Sequence, residues 1–205
     1  MTDSPIDSPL EPEALLTAFR HGGFPMGDPQ TGEVNFYACD PRAILPISEF
    51  RTPRGAKRKL ARGIFTVTFD REFERVMRAC AVDRDDDNTS WITESMIQAY
   101  VALHRAGYAH SVETWREGRL VGGLYGVAIG AAFLGESMFS RIDEGGSDAS
   151  SAALGALVER LRERGFTLFD CQYANEHTRR LGVREIPEAD YMEMLAHAVS
   201  EPSHW

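Results

Sequence analysis

The sequence predicts an α+β fold, a mixed sheet with helices packed on it, behind a small N-terminal lobe. Alternating or continuous apolar runs at 64–69, 109–115, 120–127, 131–136 and 166–171 read as strands. Between and after them lie segments whose apolar residues recur at helical spacing. The order is strand, helix, helix, three strands, helix, strand, helix, which describes one sheet layered with helices. A chain of 205 residues is long enough to give that arrangement a sizeable core.

The first residues, Met1 to about Glu11, are rich in Pro, Ser and Asp and predict a frayed start. Leu15, Leu16 and Phe19 then share one helix face, and Gly22-Gly23 stops that helix. Phe24 to Gly32 reads as turn chemistry, followed by a short extended run from Val34 to Tyr37 and a second turn at Asp40-Pro41. Ile64 to Phe69 alternates as a strand, and Asp70 is placed to cap a helix whose Phe73, Val76, Met77 and Cys80 lie together. An acidic loop over 83–88 precedes a helix marked by Trp91, Met96, Ala99, Tyr100 and Leu103, which Gly107 ends. Ala109–Trp115 and Leu120–Val127 form a hairpin around Glu117-Gly118, and Ala131–Glu136 is a third antiparallel strand. Leu154, Leu157, Val158 and Leu161 build an amphipathic helix up to Gly165, Phe166–Cys171 is a strand, and a last helix covers about Glu188 to Val199. Residues 1–60 are read as the small lobe with a basic linker, and 61–205 as the main domain.

Charge and composition exclude several classes. A net charge of -9 argues against a nonspecific nucleic-acid coat and against DNA as partner. One run departs from that average: Arg51, Arg54, Lys57, Arg58, Lys59 and Arg62 occur with no acid among them. It reads either as a solvated linker or as an arm that grips phosphates. No stretch approaches the roughly 18 to 20 apolar residues needed to span a bilayer, and the start of the chain lacks the features of a signal peptide, so the expected compartment is the cytoplasm, without membrane contact. Cys39, Cys80 and Cys171 are odd in number and far apart, which reads as reduced thiols. No HExxH pattern or close metal-ligand spacing is present, and neither a metal nor a cofactor is expected.

Two runs carry the chemistry. Gly135-Glu-Ser-Met-Phe-Ser140 and Asp170-Cys-Gln172 each read as a short apolar strand ending in polar groups, and two such ends can face one another across a cleft. Asp170 and Gln172, at strand spacing i and i+2, are expected to point the same way, with Cys171 on the opposite face as a buried thiol.

With Gly23-Phe-Pro-Met26, Asp40-Pro-Arg-Ala-Ile-Leu45, Arg51 with Arg58, Trp91-Ile-Thr93, Gly107-Tyr-Ala-His-Ser-Val-Glu113, Trp115 and Leu120-Val-Gly-Gly-Leu-Tyr-Gly126, these runs form an ordered series over nearly the whole chain. In that order they resemble the leucyl/phenylalanyl-tRNA-protein transferases. That family carries a fold like the GCN5-related acetyltransferases behind a small N-terminal domain. Three places depart from its pattern. Asp148-Ala149-Ser150-Ser151 stands where Asn-Ala-Ser-Lys is usual, Phe36-Tyr37-Ala38-Cys39 replaces a tryptophan pair, and the customary leader is absent.

The resemblance implies transfer of leucine or phenylalanine, with methionine as a further donor, from aminoacyl-tRNA to the N-terminal amine of proteins beginning with Arg or Lys, marking them for degradation. An aminoacyl ester is already activated, so positioning and oxyanion stabilisation suffice without a cofactor. On this reading Asp170 and Gln172 are catalytic, Asp170 orienting Gln172 or meeting positive charge on the attacking nitrogen. Glu136 meets the acceptor's cationic side chain, assisted by Asn175, or else pairs with a core arginine. Leu124, Phe133, Met138 and Phe169 enclose the donor side chain or are simply core. Trp91, Phe36 and Tyr37 stack on the terminal adenine of tRNA or pack between lobe and domain. Arg51, Arg54, Lys57 and Arg58 hold tRNA phosphates. Two other readings stay open: an acetyl-CoA-dependent N-acetyltransferase, whose pyrophosphate turn has its nearest match in Arg162-Glu-Arg-Gly165-Phe-Thr167 with the last position wrong, and a noncatalytic adaptor for N-terminal residues.

Overall fold

The computed structural model describes residues 10–82, 90–202 and 204–205, so the acidic loop expected over 83–88 lies outside the described residues. Pro12 opens helix α1 (Pro12–Arg20), where its missing N–H costs nothing, and Leu15, Leu16 and Phe19 are buried. Strands β1 (Phe24–Gly27) and β2 (Val34–Tyr37) pair as a small antiparallel ribbon. The stretch expected to be turn throughout therefore begins as a strand, because the turn chemistry is confined to Asp28 onward, where the Asp28 carboxylate accepts the N–H groups of Gln30 and Thr31. After a cis Asp40–Pro41 bond comes β3 (Arg42–Ile44).

The basic run is a helix, α2 (Arg54–Ala61), and not a linker. Ala56 buries its methyl completely, Arg54, Lys57 and Arg58 face solvent, and Lys59 turns back to Asp148 at 3.0 Å. Then follow β4 (Thr66–Phe69), α3 (Phe73–Ala81), α4 (Glu94–Arg105), β5 (Ala109–Arg116), β6 (Arg119–Ile129), β7 (Ala132–Ser140), α5 (Ala149–Glu163), β8 (Leu168–Asp170), α6 (Glu176–Arg180), β9 (Arg184–Ile186) and α7 (Glu188–Ser200). The β5–β6 hairpin turns at Glu117 and Gly118, with φ of 50° and 75°, the left-handed pair that matches the twist of two strands. Asp70 does not cap α3. Its own φ is 57°, and its carboxylate instead accepts the Ser111 N–H at 2.9 Å.

The main sheet has the order β4-β5-β6-β7-β8-β3-β9, antiparallel except for β7 and β8. This is the expected mixed sheet with helices on both faces. Side chains alternate along β6: Tyr125 and Val127 join the core under α1, α3 and α4, while Leu124 joins the core under α5. β3 lies inside the main sheet, between β8 and the edge strand β9, so residues 1–60 contribute an interior strand to it. Sequence reading missed β3, α6 and β9, segments of 3, 5 and 3 residues, too short to show a period. Among the described residues no helix is long and apolar enough to cross a membrane.

Two features of β7 open a cleft. Its parallel pairing with β8 stops at Leu134↔Asp170, although β7 runs on to Ser140. On its other side Tyr125 pairs with Ser137 but Gly126 with Gly135, leaving Glu136 as the extra residue of a bulge that bends the strand.

Arg42, 1% exposed, ties these parts together. Its Nε donates to Asp170 Oδ1 at 2.9 Å, one Nη donates to Oδ2 at 2.6 Å, and the other to the Gly22 carbonyl at 2.8 Å. Tyr191 on α7 donates to the same Oδ2 at 2.9 Å. Removing one member of a buried pair leaves the other charge stranded. Asp170→Ala is therefore expected to lose about 3 to 5 kcal/mol of stability, with Arg42→Ala similar, whereas Arg42→Met combined with Asp170→Leu should lose clearly less than the sum. Urea titration of the three variants checks this.

Candidate active site

Where β7 and β8 part, the gap is a cavity of about 380 Å³. Gly135–Met138 line one side, Cys171, Gln172 and Tyr173 the other, and Phe24, Pro25 and Met26 of β1 close over it. Leu124, Leu154 and Phe169 form an apolar wall.

Gln172 sits at this cavity in a constrained backbone, with φ 55°. Its N–H donates to Asp170 Oδ1 at 2.9 Å, and its carbonyl accepts the Ala43 N–H at 2.9 Å and the Cys39 thiol at 3.0 Å. With the main chain pinned, the buried side-chain Nε2 has no hydrogen-bond partner in the protein. A donor held in place without a partner costs free energy unless a ligand accepts from it.

Asp170 is not beside it in the cavity. It is fully buried, its oxygens are taken by Arg42, Tyr191 and the Gln172 N–H, and it does not line the space. The expectation that Asp170 and Gln172 share a strand face is corrected here: β8 ends at Asp170 and the left-handed Gln172 breaks the alternation, so Cys171 lines the cavity as well. Burial holds the Cys171 thiol well above its ordinary range, which keeps it protonated and unreactive.

Glu136, on the bulge opposite, presents a buried Oε1 with no partner. Burial pushes its carboxyl up to about 8, with the nearby Tyr100 hydroxyl and the Arg42 charge offsetting part of this and Asp170 adding to it. The Tyr100 and Tyr125 hydroxyls are likewise buried without well-formed hydrogen bonds, and burial beside Glu136 raises both well above the phenol range.

The remaining predicted residues divide. Trp91 lines the cavity, and its carbonyl accepts the Gly27 N–H at 2.9 Å, fixing it against β1. Leu124, Met138 and Phe169 are wall residues, while Phe133 lies behind Phe169, ring centroids 5.3 Å apart. Asn175 lines the mouth, but its Oδ1 accepts the Thr178 N–H at 2.9 Å as the cap of α6. Phe36 and Tyr37 are exposed on β2, outside the lining, with Tyr37 against Phe24 at 6.3 Å. Arg51, Arg54, Lys57 and Arg58 are also outside it. Arg51 donates to the carbonyls of Ser48 and Phe50, and the other three point to solvent from α2. Asp148 holds Lys59, and Ser150 and Ser151 are buried at the start of α5.

Sequence reasoning missed Arg42, Tyr191 and Cys39, whose roles depend on partners far away in the chain. Arg42 stood in the Asp-Pro-Arg run, but nothing local could connect it with Asp170. Sequence reading also missed a cluster of Asp70, His104 and His110, whose ligand atoms lie within 4.8 Å of one another. Its capacity is used internally: His110 Nδ1 bonds Asp70 at 3.0 Å and Nε2 the Gly107 carbonyl at 3.2 Å, while His104 Nδ1 bonds the Ala109 carbonyl at 2.8 Å.

Among solved structures, a ribosomal-protein-alanine N-acetyltransferase from Brucella melitensis biovar Abortus 2308 aligns with TM-score 0.39 and 17% identity, covering 57% of this chain and 86% of that one. A GCN5-related N-acetyltransferase-like protein from Streptococcus suis 89/1591 aligns with TM-score 0.40 and 14% identity, covering 72% and 58%. Sequence relatives are much nearer. The leucyl/phenylalanyl-tRNA–protein transferase of Rubrobacter xylanophilus is 50% identical over 93% of this chain and 95% of its own length. The protein of that name from Salinibacter ruber is 47% identical over 96% and 83%. The profile of the family described as leucyl/phenylalanyl-tRNA protein transferase matches residues 44–196, which include the bulge of β7, β8 and the Asp170–Gln172 turn. With that match and those relatives, the chain belongs to the leucyl/phenylalanyl-tRNA–protein transferase family.

Proposed function

We propose that this chain moves leucine or phenylalanine, and also methionine, from aminoacyl-tRNA to the N-terminal amine of proteins beginning with Arg or Lys, in the cytoplasm, as a mark for degradation. The observation that carries the reading is the pairing of an unpartnered donor, Gln172 Nε2, with an unpartnered acceptor, Glu136 Oε1, in one cavity with an apolar wall. The donor's apolar side chain lies against Leu124, Met138 and Phe169, with Phe133 behind. A wall of this kind discriminates weakly between large apolar side chains, since a methylene changes binding by only about 1 to 3 kcal/mol. The acceptor's guanidinium or ammonium group meets Glu136, with Asn175 at the mouth.

The amine nitrogen attacks the ester carbonyl. A C–N bond forms, the C–O bond to the ribose breaks, and the proton lost by nitrogen ends on the ribose hydroxyl. Gln172 Nε2 donates to the carbonyl oxygen as it gains negative charge. Asp170 works by orientation: with Arg42 behind it, its carboxylate fixes the Gln172 N–H. Trp91, with Phe36 and Tyr37 on the neighbouring ribbon, offers aromatic faces to the terminal adenine. Arg51, Arg54, Lys57 and Arg58 supply positive charge along α2 for tRNA phosphates.

Purified protein, Leu-tRNA and a peptide starting with Arg should give a peptide one leucine longer without ATP, metal or coenzyme A. Gln172→Ala should cut that turnover by about 100-fold, the scale of one oxyanion donor, with an unchanged circular dichroism spectrum. Product only with acetyl-CoA would instead favour the acetyltransferase, and acceptor binding without any product the adaptor.

Glu136 gives a pH test with a defined sign. In the empty site its carboxyl, near 8, is largely protonated at neutral pH, whereas a cation binds the ionised form. Affinity for an Arg-amide probe should therefore rise with pH up to about 8, and Glu136→Gln should lose this slope together with about 1.5 to 3 kcal/mol of preference for Arg over Ala. Folding has the opposite trend. The folded carboxyl keeps its proton where the unfolded one, near 4.5, has lost it, so wild-type stability should fall relative to Glu136→Gln between pH 4.5 and 8. Calorimetry for binding and melting at several pH values reads both.

Replacing Arg51, Arg54, Lys57 and Arg58 together by Ala should weaken tRNA binding and reduce the slope of log affinity against log salt by roughly 0.7 to 0.9 per lost phosphate contact. Turnover of a minimal aminoacyl-adenosine donor should hardly change. An unaltered slope in a filter-binding titration would place the tRNA elsewhere.

A further inference from the structure

The apolar wall has a back. Phe169 lines the cavity, and its ring makes a T-shaped contact with Phe133, with centroids 5.3 Å apart and planes at 83°. Each ring packs directly against the backbone of a glycine. A methyl group on Gly135 would come within 2.7 Å of the Phe169 ring, and one on Gly126 within 2.6 Å of Phe133. Phe133, which does not line the cavity, in turn stacks on Trp205, at 5.5 Å and 18°.

Trp205 is partly buried and is itself held by several neighbours. Its indole N–H donates to Asp70 Oδ2 at 2.6 Å, and its ring stacks on His110 at 4.1 Å and 17°. The Arg160 guanidinium lies over it at 4.9 Å and over Phe69 at 4.6 Å, while Phe69 meets its edge at 6.0 Å. The Asp70 and His110 cluster thus acts as an anchor for one aromatic ring. That ring sits two residues behind the surface of the cavity.

We infer that Trp205 is a specificity-positioning residue for the donor: its ring supplies the rear support that fixes how far Phe133 and Phe169 can recede, and hence the depth available to the donor side chain. The inference rests on the reading that this cavity takes the donor. Close packing gives it force, because a core ring has no slack unless a neighbour is removed, and a void behind Phe133 would let both rings retreat. A deeper pocket suits phenylalanine and loosens its grip on leucine.

The test measures kcat/KM for phenylalanyl-adenosine and leucyl-adenosine at saturating acceptor peptide. Trp205→Ala is expected to raise the Phe:Leu ratio about tenfold, within the span a methylene-sized change in pocket depth produces. Trp205→Phe, which keeps a ring but loses the bond to Asp70, should shift the ratio the same way by about 2- to 3-fold, and it carries the test should the alanine variant fail to fold. Each protein is checked by thermal melting to be folded at the assay temperature, so that a loss of stability alone, which lowers both donors equally, is told apart from a change of ratio. Phe169→Leu is the companion variant, expected to change the ratio directly. If it does so while folded Trp205 variants keep the wild-type ratio, the rear-support role is overturned and the donor pocket stands. If Phe169→Leu also leaves the ratio alone, the donor side chain binds elsewhere and both readings fall.

Discussion

The buried ion pair between Arg42 and Asp170 is the contact on which the rest of the site depends. Taking both charges out of water carries a desolvation cost of several kcal/mol each, and an apolar pair of similar shape would often be as stable. What the pair supplies here is placement. The Arg42 fork binds Asp170 through two nitrogens and the Gly22 carbonyl through a third, and its plane lies over the rings of Phe24 and Tyr191 at 5.0 and 4.5 Å. It thereby connects the end of α1, the β1 ribbon, the end of β8 and α7. Because Asp170 Oδ1 also accepts the Gln172 N–H, the direction of that pair is passed to the residue at the cavity.

This arrangement accounts for the division of labour in the cleft. Gln172 occupies a left-handed backbone conformation that a side-chain-bearing residue rarely adopts, and the bonds to Asp170, Ala43 and Cys39 hold it there. In the transfer proposed above, its amide would need no reorganisation when charge develops on a substrate oxygen, which is where preorganised donors contribute most. Across the cleft the bulge turns Glu136 into a place with too little water to ionise it easily. A buried carboxyl with an orphan oxygen is stabilised most by a ligand that brings its own positive charge. The acceptor proposed here has that charge on its first side chain.

Electrostatics on the larger scale follow a similar separation. The chain is acidic overall, yet α2 sets Arg54, Lys57 and Arg58 on one exposed helix while Lys59 is used to dock it against Asp148 at the start of α5. Positive charge gathered on one exposed helix of an acidic chain would attract a polyanion there, in keeping with the tRNA contact proposed above.

The sequence by itself determined the elements with a long period or a strong turn: α1, α3, α4, α5 and α7, the Glu117-Gly118 hairpin, and the apolar strands around it. It also marked both sides of the cleft, since Gly135–Ser140 and Asp170–Gln172 announce themselves as strand ends rich in polar groups. These features are local, and local chemistry is what a sequence displays. The short segments β3, α6 and β9 gave no such signal, because 3 to 5 residues are fewer than a pattern needs. Tertiary structure alone decided that Asp170 is turned away from the cavity toward Arg42, 128 positions distant in the chain, and that Gln172 leaves the strand's alternation. It likewise decided that Asp70 anchors Trp205 across 135 positions instead of capping α3. In each case the outcome was set by hydrogen-bond partners remote in sequence, and which partner is within reach is a property of the packed chain, not of a residue's neighbours in sequence.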